Sequence, residues 1–183
     1  MSAPSDRAVA DPATADHSTP ARAVGLRVMI PVAIALVVID QLTKWWAMSR
    51  LDTDVIDVVW TLRFNLVRNP GSAFSVGASL GPFIGVLAVV VVVLLVRYGR
   101  FASNLPTAIA LGMVLGGAVG NLIDRLFRTE GNGFLGGHVV DFIDFQWWPV
   151  FNVADIGIVV GGLLLVLVAM VTPEGTSGDV TPG

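Results

Sequence analysis

From Ile156 to Val171 the chain carries no charged residue, and Asp155 stands directly at the mouth of that run. Three further stretches are nearly as apolar, at about 28 to 48, 80 to 96 and 105 to 123, with the fourth spanning about 151 to 171. About 20 residues at 1.5 Å rise cross a hydrocarbon core of roughly 30 Å, so each stretch is predicted to be a transmembrane helix. Composition points the same way: of 183 residues 54% are apolar and 14% charged, and the mean hydropathy is +0.76. The predicted class is an all-α integral membrane protein with four transmembrane helices and a small extramembrane β-sheet.

Several functions are excluded by what the chain lacks. A net charge of −3, with no basic run longer than two residues, argues against a nucleic-acid partner. There is no cysteine, which removes disulfides, thiolate catalysis and Cys-based zinc sites. His17 and His138 are too few and too far apart to suggest a metal site, so neither metal nor cofactor is expected. Residues 1 to 24 and 173 to 183 read as disordered tails flanking a membrane domain at 25 to 172.

The first span carries Asp40, Thr43 and Lys44 toward its far end and closes with Trp45 and Trp46, as an interfacial belt would. Asp40 and Lys44, four apart and acid first, share a helical face in the better orientation for an ion pair. The pair is either a buried structural feature or a means for Lys44 to reach a headgroup or substrate. From Trp60 the pattern alternates, with Trp60, Leu62, Phe64 and Leu66 on one face, which predicts a half-exposed strand ending in turn residues Asn69, Pro70 and Gly71. The second span, aliphatic without break from Leu87 to Leu95, reads as scaffold facing lipid.

Gly112, Gly116 and Gly120 line one face of the third span and would let another helix approach closely. Asn121, Asp124 and Arg125 follow at i, i+3 and i+4. Residues 127 to 138 form a glycine-rich loop that could act as a mobile lid over a site. Four crossings return both termini to one side. With termini inside, five cations lie inside (Arg7, Arg22, Arg27, Arg97, Arg100) and six outside, so the raw count does not follow the positive-inside rule. The purely basic turn at 97 to 100 and the Asp and Asn beside several outer cations favour termini inside. All five tryptophans then fall near the outer interface, together with the carboxylates.

Three groups converge on that interface: the 121 to 125 cluster, Asp141, and Asn152 with Asp155. An ionised Asp at a bilayer centre costs roughly 2.5–3.5 kcal/mol on insertion scales, so carboxylates at such a boundary suggest chemistry. Two carboxylates held close share a proton, and the pair can activate water while protonating a carbonyl oxygen. That permits peptide hydrolysis by two aspartates. From the residues alone Asp124, Asp141 and Asp155 are all candidates, while Asp144 reads as a solvated loop acid. An ion-coupled transporter would favour midplane carboxylates and internal repeats, and no repeat is found. A structural assembly protein would use the glycine face but leave the carboxylates without purpose.

The segments DQLTK (40 to 44), NPGSAF (69 to 74), GGAVGNLIDR (116 to 125), HVVDF (138 to 142) and FNVAD (151 to 155) resemble, in order and spacing, the motifs of bacterial lipoprotein signal peptidase, or signal peptidase II. The resemblance covers about residues 28 to 171. It implies four transmembrane helices with a small periplasmic, hence extracytoplasmic, β-cradle, and cleavage of prolipoproteins on the amino side of a diacylglyceryl-modified cysteine. It also implies an enzyme of the bacterial cell membrane, with cytoplasmic termini and an active site near the outer face. The family's catalytic aspartates match Asp141 and Asp155. Its supporting residues match Asp40, Lys44, Asn69, Gly71, Asn121, Asp124, Arg125, Asn152 and Ala154. The expected partners are the lipid-modified precursor and membrane lipids, the expected state is monomeric, and no cofactor is implied. Pro70 and Ser72 stand where the family more often has Thr and Ala.

Overall fold

The computed structural model describes residues 21–71, 81–128 and 134–171. Seven elements follow in order: α1 (Ala21–Arg50), β1 (Ile56–Val59), β2 (Leu62–Asn69), α2 (Gly81–Gly99), α3 (Leu105–Phe127), β3 (Val139–Asp144) and α4 (Val153–Val171). All four helices are long and apolar enough to cross a membrane. Helix α1 begins four residues inside the segment expected to be a tail; the rest of that tail, and residues 172–183, lie outside the described residues.

Helix α3 is the centre of the bundle, and small residues put it there. A Cβ on Gly112 would lie 2.7 Å from the Met29 carbonyl of α1, and one on Gly116 2.8 Å from that of Ala33. This is the close approach expected of the glycine row. A second contact was not legible in that spacing: Gly117 lies so close to Ala154 of α4 that a Cβ would collide with its carbonyl. Two neighbouring glycine faces on one helix let α1 and α4 both pack closely on it, where van der Waals contact rather than hydrophobic expulsion holds helices together in lipid. Asn104 caps α3 by accepting from the Thr107 amide at 2.9 Å, just ahead of a proline in the first turn.

The outward surface is apolar. Phe83, Leu163 and Met170 are 68%, 60% and 78% exposed, as side chains facing hydrocarbon should be. Helix α2 is scaffold only in part, since Ile84, Leu87, Ala88 and Val91 also line a cavity.

At one end of the bundle β1, β2 and β3 form an antiparallel sheet in that order. The expected strand exists but starts later. Trp60 is a turn residue at φ 53°, between Val59 and Leu62, which pair across the hairpin. Strand β3 was not anticipated. Its residues are nearly all buried, so VVDFID lacks the polar-apolar alternation that marks a half-exposed strand. The sheet packs on the bundle through Phe142 and Phe64, whose rings meet Trp46 at 6.1 and 5.3 Å, with Ala47 and Leu51 beneath.

Asp144, expected to be a solvated loop acid, is instead a buried turn organiser. It ends β3, pairs with Arg63 at 2.7 Å, and accepts from the Gln146 amide at 2.6 Å. Burial pushes its carboxyl up, but the bonds from Arg63, the Gln146 amide and Asn65 outweigh that and hold it below its ordinary value. The chain then doubles back: Phe151 exchanges backbone hydrogen bonds with Ile143 at 2.9 and 3.1 Å. Helix α4 therefore starts beside the strand that carries Asp141.

Candidate active site

Helix α4 opens with Asn152 and Asp155 capping one another. The Asp155 amide donates to Asn152 Oδ1 at 3.0 Å, and the Asn152 amide donates to Asp155 Oδ2 at 3.1 Å. This reciprocal pattern is a capping box, and it fixes Asp155 at the positive end of the helix. Asp155 is thereby both a structural cap and a group on the cavity wall.

Asn152 spends its other end on Asp141, donating from Nδ2 to Oδ1 at 2.7 Å. Asn69, at the end of β2, donates to the second oxygen at 2.9 Å, while its own Oδ1 receives the Gly71 amide at 2.8 Å. Gly71 turns here at φ 106°, a conformation that favours glycine. A Cβ there would also press on Ile84 and on Gly81 at 3.1 Å. Asp141 thus receives two side-chain amides. Burial drives its pKa from 3.8 to about 7; Asp155 adds to the rise, while the bonds from Asn69 and Asn152 oppose it.

Asn121 joins this pair to an ionic group deeper in the bundle. Its Nδ2 donates to Asp155 Oδ1 at 2.8 Å, and its Oδ1 accepts from Lys44 Nζ at 2.9 Å and from Asn152 Nδ2 at 3.0 Å. Because an ammonium only donates, Lys44 dictates which end of the Asn121 amide faces Asp155. Lys44 itself is completely buried and bridges Asp40 and Asp124, each at 2.9 Å. Asp40 also accepts from the Ala154 amide at 2.9 Å, and Asp124 from the Val140 amide at 3.1 Å. One lysine between two carboxylates therefore ties α1 and α3 to α4 and β3. The contribution of Ala154 is its backbone amide, together with a small side chain buried near Gly120.

Arg125 lies on the other wall. It is buried, reaches the Gly137 carbonyl loosely at 3.5 Å, and shares the cavity with Asn69, Asn121, Asp141 and Asp155. The cavity holds about 350 Å³, polar at this end and apolar along α2, α3 and α4, where Ile84, Val114 and Ile158 line it. The structure brings all eleven expected residues to one end of the bundle. It adds Gln41, which the sequence reading missed: its amide donates to Asp40 at 3.1 Å and to the Gly120 carbonyl at 3.1 Å. Its position three residues before Lys44, on the same polar stripe, was the available signal. The loop proposed as a lid falls partly at 129–133, outside the described residues. Among the described residues no group of three or more His, Cys, Asp or Glu is placed to hold a metal ion.

The model of the Signal peptidase (SPase) II family, Peptidase_A8, matches residues 32–171, a range that contains every residue of this site. The chain belongs to the signal peptidase II family. The lipoprotein signal peptidase of Rhodococcus jostii is 44% identical over 151 residues, covering 79% of this chain and 74% of the relative. That of Mycobacterium tuberculosis is 40% identical over 157 residues, covering 85% and 77%. Two solved structures, described as bacterial membrane enzymes, superpose with TM-scores of 0.68 at 27% and 26% identity. They cover 79% and 81% of this chain, and 88% and 96% of their own. As a signal peptidase II the protein is a multi-pass membrane peptidase, and the four-helix frame with its three-stranded sheet is the fold on which its site is built.

Proposed function

We propose that this signal peptidase II removes signal peptides from bacterial prolipoproteins, cutting on the amino side of a diacylglyceryl-modified cysteine, with Asp141 and Asp155 as its catalytic pair. The observation that carries this reading is the cavity itself: both carboxylates open into it beside an apolar channel between α2, α3 and α4. The signal peptide and acyl chains arrive laterally from the bilayer. The scissile bond lies across the two aspartates.

Water adds to the scissile carbonyl as Asp155 takes its proton and the protonated Asp141 gives one to the carbonyl oxygen. In the tetrahedral diol the proton on Asp155 passes to the cysteine nitrogen, the C–N bond breaks, and a hydroxyl proton returns to Asp141. Asn152 and Asn69 orient Asp141, and Asn121 and the α4 cap orient Asp155. Arg125 sits where it can hold a substrate carbonyl. The termini face the cytoplasm, the sheet and site lie at the outer face, and the enzyme works as a monomer. The test is cleavage in liposomes of one peptide with and without the diacylglyceryl group. Turnover confined to the modified peptide is expected; equal turnover of both would refute the assigned specificity.

A further inference from the structure

Asp124 stands between two cations. Lys44 Nζ meets its Oδ2 at 2.9 Å, and Arg128 Nε, from one helical turn further on, meets its Oδ1 at 2.9 Å. Arg128 lies three residues beyond the motif that carries Asn121, Asp124 and Arg125, at the C-cap of α3. Its side chain is 17% exposed, and its Nη1 lies 2.9 Å from the Met48 sulfur of α1. The Nε hydrogen is aimed at no acceptor. A buried donor left without a hydrogen bond is costly, so what this contact supplies to Asp124 is positive charge rather than a directed bond.

The two oxygens of Asp124 have separate duties. Oδ2 takes Lys44 and also the Val140 amide, the latter at 3.1 Å, while Oδ1 has Arg128 and, at 3.4 Å, the Gln41 amide. A carboxylate held by one ammonium alone can turn either oxygen toward it, because an ammonium is a point charge without the fixed fork of a guanidinium. A second cation on the far oxygen opposes that turn and keeps Oδ2 on the Val140 amide. Val140 is the residue before Asp141. Its carbonyl accepts from Asn152 Nδ2 at 3.3 Å, and the same nitrogen donates to Asp141 Oδ1 at 2.7 Å. Val140 is thus pinned at its N–H by Asp124 and at its C=O by the side chain that holds Asp141.

We infer that Arg128 is a positioning residue: its charge on Asp124 Oδ1 fixes the Val140 amide, and through that peptide the place of Asp141 in the cavity. Arg128 is not itself on the cavity wall, so it acts through Asp124. Its consequence for turnover rests on the proposed catalytic role of Asp141. Its consequence for the Val140 amide does not.

Arg128→Gln, Arg128→Lys and Met48→Leu are compared with the wild type, full-length and in liposomes, by hydrogen exchange at the Val140 amide and by kcat and KM for a diacylglyceryl peptide. In Arg128→Gln the Val140 amide should exchange several-fold faster, with exchange along Gly112 to Gly120 unchanged. Its kcat should fall about tenfold at a constant KM, short of the roughly 10²-fold that a misplacement of about 1 Å costs. Arg128→Lys keeps the charge and should recover most of both. Met48→Leu removes the sulfur contact alone and should match the wild type. Unchanged exchange at Val140 in Arg128→Gln would overturn the inference, as would acceleration spread evenly along α3, the mark of a general loss of stability. A lysine variant no better than the glutamine one would overturn the role of charge. Faster Val140 exchange at wild-type kcat would overturn the link to Asp141. Failure of the proposed activity shows separately, as a wild type that does not cut, and the exchange comparison still decides whether Arg128 holds the Val140 amide.

Discussion

On one side of Asn121, Asp40 and Asp124 meet Lys44 at 2.9 Å; on the other, Asp141 is held by the amides of Asn69 and Asn152. Both regions are withdrawn from solvent, with Asp40, Asp124 and Asp141 at 0%, 1% and 2% exposure. They differ in the charge of their partners. A buried cation ties a carboxylate into an ion pair and makes it structural, since removing either member leaves the other unpaired. Neutral amides orient a carboxylate without committing its proton, and Asp141, with a pKa near 7, can hold or release one at physiological pH. The protein thus places two kinds of buried acid side by side, with a single asparagine between them.

The largest way to break this contrast is Asp155→Asn. Loss of one member of an acid-base pair costs about 10²–10⁴-fold in rate, so kcat for a diacylglyceryl peptide should fall by about that factor. The folded state should survive. Retention of most of the activity would remove Asp155 from the pair.

Lys44→Met attacks the ionic side. It takes from Asp40 and Asp124 the cation they share, leaving Asp124 with Arg128 at 2.9 Å, and breaking a buried pair costs about 3–5 kcal/mol. Unfolding in detergent should show that loss, and an unchanged midpoint would contradict the structural role. Gly117→Ala should cost less, about 1–3 kcal/mol, by forcing α3 and α4 apart where the Ala154 carbonyl sits. The same unfolding assay measures it.

The smallest effect is a shift along the pH axis. Asp141 must be protonated to act as the acid, so cleavage should fall as pH rises through about 7. Asn69→Ala removes a bond that favours the anion, and the falling limb should move upward by about a unit, because a hydrogen bond to a charged group is worth about 1.5–3 kcal/mol. A downward move would contradict the assignment. The linkage has a definite sign for stability as well. Asp141 binds its proton more tightly folded than unfolded, so its contribution is full below 3.8 and is lost as pH rises to about 7.

What could be read in the sequence followed from local periodicity. Asp40 with Lys44, the glycine row, and Asn152 with Asp155 are spacings on single helices, and each became a contact. The partners across elements were not legible: Lys44 with Asp124, Asp40 with the Ala154 amide, and Gly117 with Ala154 depend on how helices cross. Strand β3 was hidden because burial on both faces erases its alternation. Trp60 reads as part of a strand because an aromatic residue fits that pattern better than it fits a turn at positive φ. Asp144 reads as solvated because its cation, Arg63, is distant in sequence. The motifs located the family, while the division of the candidate site into ionic and amide halves needed the structure.

The central claim is tested most directly by comparing Asp141→Asn with Asp124→Asn in two assays, cleavage of the diacylglyceryl peptide and unfolding in detergent. Asp141→Asn should abolish turnover with little loss of stability. Asp124→Asn should lower stability while the protein that remains folded still cuts. If Asp124→Asn is inactive but fully stable while Asp141→Asn still cuts, the catalytic pair is Asp124 with Asp155, and the division drawn at Asn121 is wrong.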